Sequence, residues 1–496
     1  MKPEIFPKKD FKYSLDFLKR LNALHYQGKP LSHQKIFNKY NVWIFFQSRI
    51  FFSDLKEFAQ NGQYEQRQSP SLKIKIQNFT LSTFGLLVST VAVVSAIIFK
   101  KKIFVYSVDR TNSDIYSNDA RMDPVYKYLK SSQEPFLEFL HTTFEFGFIK
   151  RFFKRRRWVI YIKSIDTVYY MSHLFWLSRR QSLDTTDVDF SSFKPEEREF
   201  AEQLLHKYLS SIDLVIFRVK VLRRILSWMR TENLFTIDNT RDYWELILAC
   251  RMNNVNVNAF QHGHFTKYHV GWLNDGSFEG EIARPNKLFV WSDFWKKELI
   301  RLKTYFPEKS IEIGGFKNII STIPKKLDRA YVGVLIPYEV DSNKSEVKRY
   351  IDKLLLCGNI KVFFKLRTDL DSNRQMTEYG LNKNYNQNLQ FIDDVTKYIS
   401  DVDVVAGTYS TFLYDMIAYE RPVALLKTSS DFGEGLAINE LAETVDIENV
   451  CKKIEEIASI GRDILKERNK KLFGEKPRLM HDTVIKLAEG SYLNNR

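Results

Sequence analysis

Cysteine is scarce in this 496-residue chain: Cys250, Cys357 and Cys451 stand far apart, with no CxxC pair and no metal-ligand spacing. That argues against a disulfide framework and a structural zinc module, and leaves unpaired thiols in a reducing compartment as the expectation. A cleavable signal is also missing, because MKPEIFPKKDFKYSLDFLKR is charged throughout and has no continuous apolar core. Acidic balance is missing too. Lys and Arg total 75 against 60 Asp and Glu, a formal charge of +15, so the surface attracts something anionic: nucleic acid, acidic headgroups or a phosphorylated small molecule. The DVD at Asp401 to Asp403 precedes its strand rather than ending one.

With 44% hydrophobic and 27% charged residues the chain is globular. Its length suggests two or three domains of about 100 to 250 residues each. One long apolar run is present, Leu81 to Phe99, without a charge and followed at once by Lys100, Lys101 and Lys102. It just meets the roughly 20 residues that cross a hydrocarbon core. Its several Ser and Thr residues leave a buried helix, or a helix lying in the headgroup region, as alternatives. A basic block with aromatics, KRFFKRRRW from Lys150 to Trp158, suits anionic headgroups or, on its own, a solvated helix face. The nearby apolar run favours lipid over nucleic acid.

Residues 1–100 read as a helical N-terminal region, with the membrane-docking candidate at 81–99. From Lys101 the pattern becomes α/β: KIFVYSV, RWVIYI, DLVIF, NLFTID and NVNAF read as short buried strands separated by helices. A second alternation starts near Tyr331, with strands YVGVLIP, KVFFKL, LQFID, VDVVAG and PVALL and helices between them, including VTKYISD. Strand, helix, strand in this order implies parallel sheets. The fold class is therefore α/β: two Rossmann-like domains, 101–325 and 329–475, facing a cleft, joined near Pro324 to Asp328 and followed by a tail at 476–496. Ligands of open α/β sheets bind beyond the carboxyl ends of the strands, which directs attention to the residues after NVNAF, KVFFKL and VDVVAG.

After VDVVAG, Thr408, Ser410 and Thr411 lie between a strand and a helix, where the first helix amides and two hydroxyls form an anion seat for phosphate. Helix capping by Ser410 is the plain alternative. Asp415, about one turn further, is placed to meet a ribose hydroxyl. Lys365 and Arg367 alternate onto one side at the end of KVFFKL and suit a diphosphate, Arg by a bidentate fork. After NVNAF, His262, His264 and His269 fall close together beside Gly263. A metal site would want firmer supporting motifs. His262, directly after the strand, is the candidate general base, and Gln261, Gly263, His264 and His269 are candidates for the acceptor side of the cleft.

The order of these pieces resembles the two-domain GT-B glycosyltransferases of bacterial surface polysaccharide (capsule or O-antigen) biosynthesis, in the broad group with CDP-glycerol glycerophosphotransferases and polysialyltransferases. FQHG, PNKLFVWSDFWKKELI followed by IEIGGFKN, FFKLRTD and GTYSTFLYDMIAYERPVALL carry the resemblance, over roughly Leu234 to Leu426. It implies a C-terminal domain that holds a nucleotide-activated sugar as donor substrate, with Ser410 and Thr411 at its phosphates and Asp415 near its ribose. It implies His262 on the acceptor, a saccharide or lipid-linked saccharide. Where the group often has a Lys-Leu-His-Pro run, this chain has Arg367 and Thr368, so a fixed cation replaces a histidine.

The expected reaction is sugar transfer without a metal or further cofactor, at the cytoplasmic face of the inner membrane, the chain being peripheral or holding one inserted segment. The expected partners are the nucleotide sugar, the acceptor and an anionic membrane surface, and no nucleic acid. The alternatives are a nucleotide-sugar epimerase or hydrolase on the same fold, and a non-catalytic membrane scaffold of polysaccharide assembly.

Overall fold

The structure is a computed structural model. It describes residues 11–55, 58, 72–108, 119–133, 135–142, 144, 147–155, 157–176, 185–237, 244–274, 276–317, 330–340, 342–368 and 370–493. The expected linker at Pro324 to Asp328, the polar stretch before Leu72 and Asp369 at the end of FFKLRTD lie outside these residues.

The first sheet has seven strands: β1 (Ile103–Val108), β2 (Phe136–His141), β3 (Ile160–Tyr161), β4 (Asn233–Ile237), β5 (Asn256–Phe260), β6 (Lys287–Val290) and β7 (Ile311–Ile313). Their order is β3-β2-β1-β4-β5-β6-β7, and every pairing is parallel. The second sheet has six: β8 (Val332–Pro337), β9 (Ile360–Lys365), β10 (Leu389–Ile392), β11 (Val404–Gly407), β12 (Val423–Leu426) and β13 (Glu443–Val445). Its order is β10-β9-β8-β11-β12-β13, again all parallel. Both sheets are doubly wound, with the order reversing between β1 and β4 in one and between β8 and β11 in the other. The two-domain α/β expectation holds. Continuous Val, Ile and Phe runs such as Val334 to Ile336 and Val362 to Phe364 are buried on both faces, as parallel strands covered by helices require.

Several local expectations do not hold. DLVIF is not a strand but the start of α8 (Ile212–Met229), because Val215, Val219, Leu222, Leu226 and Met229 recur at helical steps and all are buried. VTKYISD forms two 3-10 turns, Val395–Lys397 and Ile399–Asp401. Strand β2 falls where no strand was expected. Cys357 and Cys451, expected to be unpaired, are joined by a disulfide with Cα atoms 6.4 Å apart. Residue separation hid this: α11 (Lys344–Leu355) and α15 (Val450–Ala458) pack side by side on one face of the second sheet, and each cysteine sits at a helix end.

The N-terminal region builds α1 (Phe11–Ala23) and α2 (Trp43–Arg49), whose Phe17, Trp43 and Phe46 join Phe200, Tyr208 of α7 (Pro195–Leu209) and Trp244 of α9 (Trp244–Met252) in one core. The apolar run lies in α3 (Leu72–Ile98). By length and composition Ile76–Ile98 suffices to cross a membrane, yet one face belongs to the first domain: Ala92 and Ala96 are fully buried beside Phe104 and Ile162. Ser89 Oγ accepts from the Tyr161 amide at 2.9 Å, and Ser82 Oγ meets Thr167 Oγ1 at 2.5 Å. Ser82 and Ser89 thus lie on the packed face, satisfied by backbone and side-chain partners, whereas the exposed Thr90 hydroxyl bonds back to Leu86 O.

The expected tail contains a helix, α17 (Met480–Leu493), that returns to the first sheet. Met480, Val484 and Ala488 are buried against Ile103, Val105 and Val125, and the Met480 amide donates to Phe316 O at 2.8 Å. Deleting residues 476–496 therefore removes core rather than tail. At about 1.5–3 kcal/mol for each large buried side chain, the deletion should cost the first domain about 4 kcal/mol or more, read as a lower midpoint in urea unfolding.

Candidate active site at the domain seam

Strand β5 ends at Phe260, and the loop that follows is pinned from beneath by Gln261. Its Oε1 accepts from the Trp291 amide at 2.9 Å, its Nε2 donates to Gly263 O at 2.8 Å, and its own carbonyl accepts from Trp291 Nε1 at 3.0 Å. Gln261 is buried, so its amide is spent on holding the loop and it does not reach an acceptor.

Gly263 then meets the other domain. A Cβ here would lie 3.2 Å from Thr411 Oγ1, so a side chain at this position would have to displace that hydroxyl by a few tenths of an ångström. His264 is buried, with Nδ1 3.1 Å from Thr411 Oγ1 and its ring stacked on Tyr414 at 4.9 Å. Burial first, then the neighbouring imidazoles of His269 and His262, hold its pKa well below the ordinary histidine value, so it is neutral. His269 Nδ1 accepts from the Thr266 amide at 3.0 Å, which fixes the neutral tautomer with the proton on Nε2. His264 and His269 are thus parts of the seam. The Nδ1 of His264 meets Thr411 and that of His269 meets Thr266, while His264 Nε2 is buried without a partner; no group of three His, Cys, Asp or Glu side chains among the described residues converges on a common point. His262 alone of the three is exposed.

Around these contacts the seam is closed. Trp295 of α10 (Asp293–Arg301) packs on Tyr414 at 5.4 Å, Lys267 pairs with Asp431 at 2.9 Å and Glu434 at 2.6 Å, and Tyr268 Oη donates to Asp431 at 2.6 Å. Phe11 of α1 packs on both Tyr268 and Phe432, at 5.4 and 4.7 Å.

On the other side, β11 ends at Gly407 and α13 (Thr411–Ala418) begins at Thr411. The expected phosphate seat is already filled. Glu339, just beyond β8 and 3% exposed, places its carboxylate there. Oε1 accepts from the amides of Tyr409 at 2.9 Å and Ser410 at 2.7 Å; Oε2 accepts from the Thr408 amide at 2.9 Å and from Thr408 Oγ1. Strands β8 and β11 flank the point where strand order reverses, so the carboxylate sits where such folds place an anion. Thr408 is thereby occupied. Ser410 caps α13, its Oγ accepting from the Phe412 amide at 3.2 Å, and Thr411 faces His264. The capping alternative describes Ser410 correctly, and the role expected of Thr408 and of these amides is taken by Glu339.

Four charged side chains lie near the ends of these strands and helices. Lys365 lies 5.1 Å from the Phe412 ring centroid at the start of α13. Asp415, on the next turn, is exposed at its side chain. Desolvation pushes its pKa up to about 6, and Lys317 and Lys365 pull the other way. Lys317, in the loop after β7 of the first domain, is exposed. Arg367 is half-buried on a loop braced by buried Gln375, whose Oε1 accepts from the Arg367 amide at 2.7 Å and whose Nε2 donates to Arg367 O at 2.8 Å. Asp403, within the DVD, accepts from the Gly333 amide at 2.7 Å and ties β11 to β8. Glu339 and Lys317 carried no signal in one dimension beyond their places after strands.

No known protein family and no curated protein matches the chain. Solved structures of similar architecture do. They include the glycotransferase of kitacinnamycin (9% identity, TM-score 0.48, 78% of this chain and 98% of that one). MurG of Acinetobacter baumannii is another (10%, 0.45, 78% and 99%), as is a UDP complex of MnaA from S. aureus (11%, 0.43, 79% and 97%). UDP-GlcNAc 2-epimerase from Methanocaldococcus jannaschii is also among them (11%, 0.42, 78% and 99%). At these values the likeness concerns the fold alone.

Two outcomes follow from the site. Glu339→Ala strips the acceptor from three amides and a hydroxyl and should cost about 3 kcal/mol or more in chemical denaturation. The vacated seat should then take sulfate, so sulfate should raise the melting temperature of the variant more than that of the wild type. For Asp415, the folded pKa lies above that of an exposed Asp, so the native state holds the proton more tightly. Its contribution is fully present below the ordinary Asp range and is lost as pH rises to about 6. Asp415→Asn should therefore raise the melting temperature at about pH 7.5 and leave it nearly unchanged at about pH 4.

Proposed function

We propose that the chain is a metal-independent glycosyltransferase that moves a sugar from a nucleotide-activated donor to a hydroxyl of a saccharide or lipid-linked saccharide, in bacterial surface polysaccharide synthesis. One observation carries the reading. The exposed His262 follows β5 and adjoins the point where Gly263 touches Thr411, so it stands beside the helix whose next turn bears Asp415. In this reading His262 of one domain serves as base opposite the charged groups of the other, at the carboxyl ends of both sheets. The polysaccharide setting rests on the motif resemblance alone.

In this reading His262 takes the proton of the acceptor hydroxyl as the new glycosidic bond forms. The bond from the sugar to the nucleotide phosphate breaks, and Lys365 and Arg367 stabilise the departing charge. Because Glu339 fills the amide seat, phosphate recognition falls on these side chains rather than on the helix start. Asp415 meets the ribose. An epimerase or hydrolase on the same fold would need no saccharide acceptor, and a scaffold would bind no nucleotide.

The test uses CMP, CDP, UDP, GDP and TDP in thermal-shift binding, with and without EDTA, on wild type, Lys365→Ala and His262→Ala. One nucleotide should stabilise wild type and His262→Ala alike and lose its effect in Lys365→Ala. With the matching donor, His262→Ala should lower acceptor-dependent nucleotide release by about a hundredfold or more. Stabilisation by no nucleotide sinks the proposal, as does turnover that ignores the acceptor.

A further inference from the structure

The α3 helix is apolar on two opposite faces, and only one of them is used. Its packed face carries Leu81, Val88, Ala92 and Ala96. On the other, Ile76, Leu87, Val91, Val94 and Ile98 recur at helical steps and are 43–65% exposed. At 1.5 Å per residue this stripe is about 33 Å long. It is far from the domain seam in sequence and has no role in the reaction above.

Helix α5 (Gly147–Arg155) lies along its flank, joined through Phe84, whose ring meets Phe148 at 6.1 Å and Phe152 at 5.4 Å. It adds exposed Ile149 and Phe153, and Trp158 beyond it is 47% exposed. The charge carried by the two helices has one sign. Lys100, Lys150 and Lys154 are exposed, and neither α3 nor α5 contains an Asp or Glu.

We infer that α3 and α5 form a platform that docks side-on into the headgroup region of an anionic lipid surface. The apolar stripe enters the acyl boundary, aromatics lie at its edge, and the lysines contact lipid phosphates. A second copy of the chain fits less well. A two-fold contact would set this patch against itself, bringing lysines together with no acidic partner on either helix. Crossing the bilayer fits no better, because the Ser82, Ser89, Ala92 and Ala96 face is committed to the first domain and insertion of α3 would tear it from that core. The inference goes beyond the transferase reading and does not depend on it, since it is read without substrate.

The test is flotation of the full chain with phosphatidylcholine vesicles and with vesicles that also contain phosphatidylglycerol. The wild type should float with the phosphatidylglycerol vesicles and be released by an alkaline wash. Leu87→Glu/Val91→Glu/Val94→Glu should weaken that binding by at least about tenfold. Lys100→Glu/Lys150→Glu/Lys154→Glu should weaken it by more than about tenfold and remove the preference for anionic lipid. Both variants alter solvent-facing side chains, and an unchanged melting temperature confirms that each is folded. No flotation of the wild type, or equal flotation of the folded variants, overturns the inference. Retention through the alkaline wash overturns side-on docking. A dimer in light scattering without vesicles, dissolved by the first set of substitutions, assigns the stripe to a second copy and also overturns it.

Discussion

The arrangement of the second domain's strand ends depends on one buried carboxylate. Glu339 accepts from three consecutive amides and one hydroxyl at the reversal point of the sheet. A buried charge is tolerated only when its oxygens are saturated with donors, and this one is. In return it holds the Thr408 to Ser410 turn in one conformation. That fixes where α13 begins, and hence where Thr411 meets the other domain and where Asp415 emerges one turn later.

The seam follows from that placement. Thr411 faces Gly263 and His264, Tyr414 carries the stacked imidazole and Trp295, and the ion pairs of Lys267 close the side. The N-terminal helices add Phe11 across Tyr268 and Phe432, so the first residues of the described chain brace both domains at once. His264 shows why density of histidine is a weak guide to chemistry. Burial keeps it neutral and directs it to packing, while its neighbour two residues earlier remains in solvent.

The two ends of the first domain are treated differently. Its strand ends face the second domain and are polar, whereas the flank formed by α3 and α5 is apolar and basic. Under the two proposals above, catalysis and attachment fall on different surfaces of the first domain.

The sequence by itself determined the parallel α/β alternation and most strand positions, and it directed attention to the strand ends where the candidate site is read. Hydrophobic runs of strand length and apolar stripes at helical spacing are local properties, and ligands of such sheets gather at strand ends. It also located the apolar helix, since a charge-free stretch of that length is visible without a fold. Tertiary structure decided the rest, because it depended on which distant segments meet. Glu339 reaches Thr408 across 69 residues, Cys357 reaches Cys451 across 94, and the last helix returns to the first sheet. An amide seat read from one segment looks empty. Only the neighbouring strand reveals that the protein has filled it with its own carboxylate.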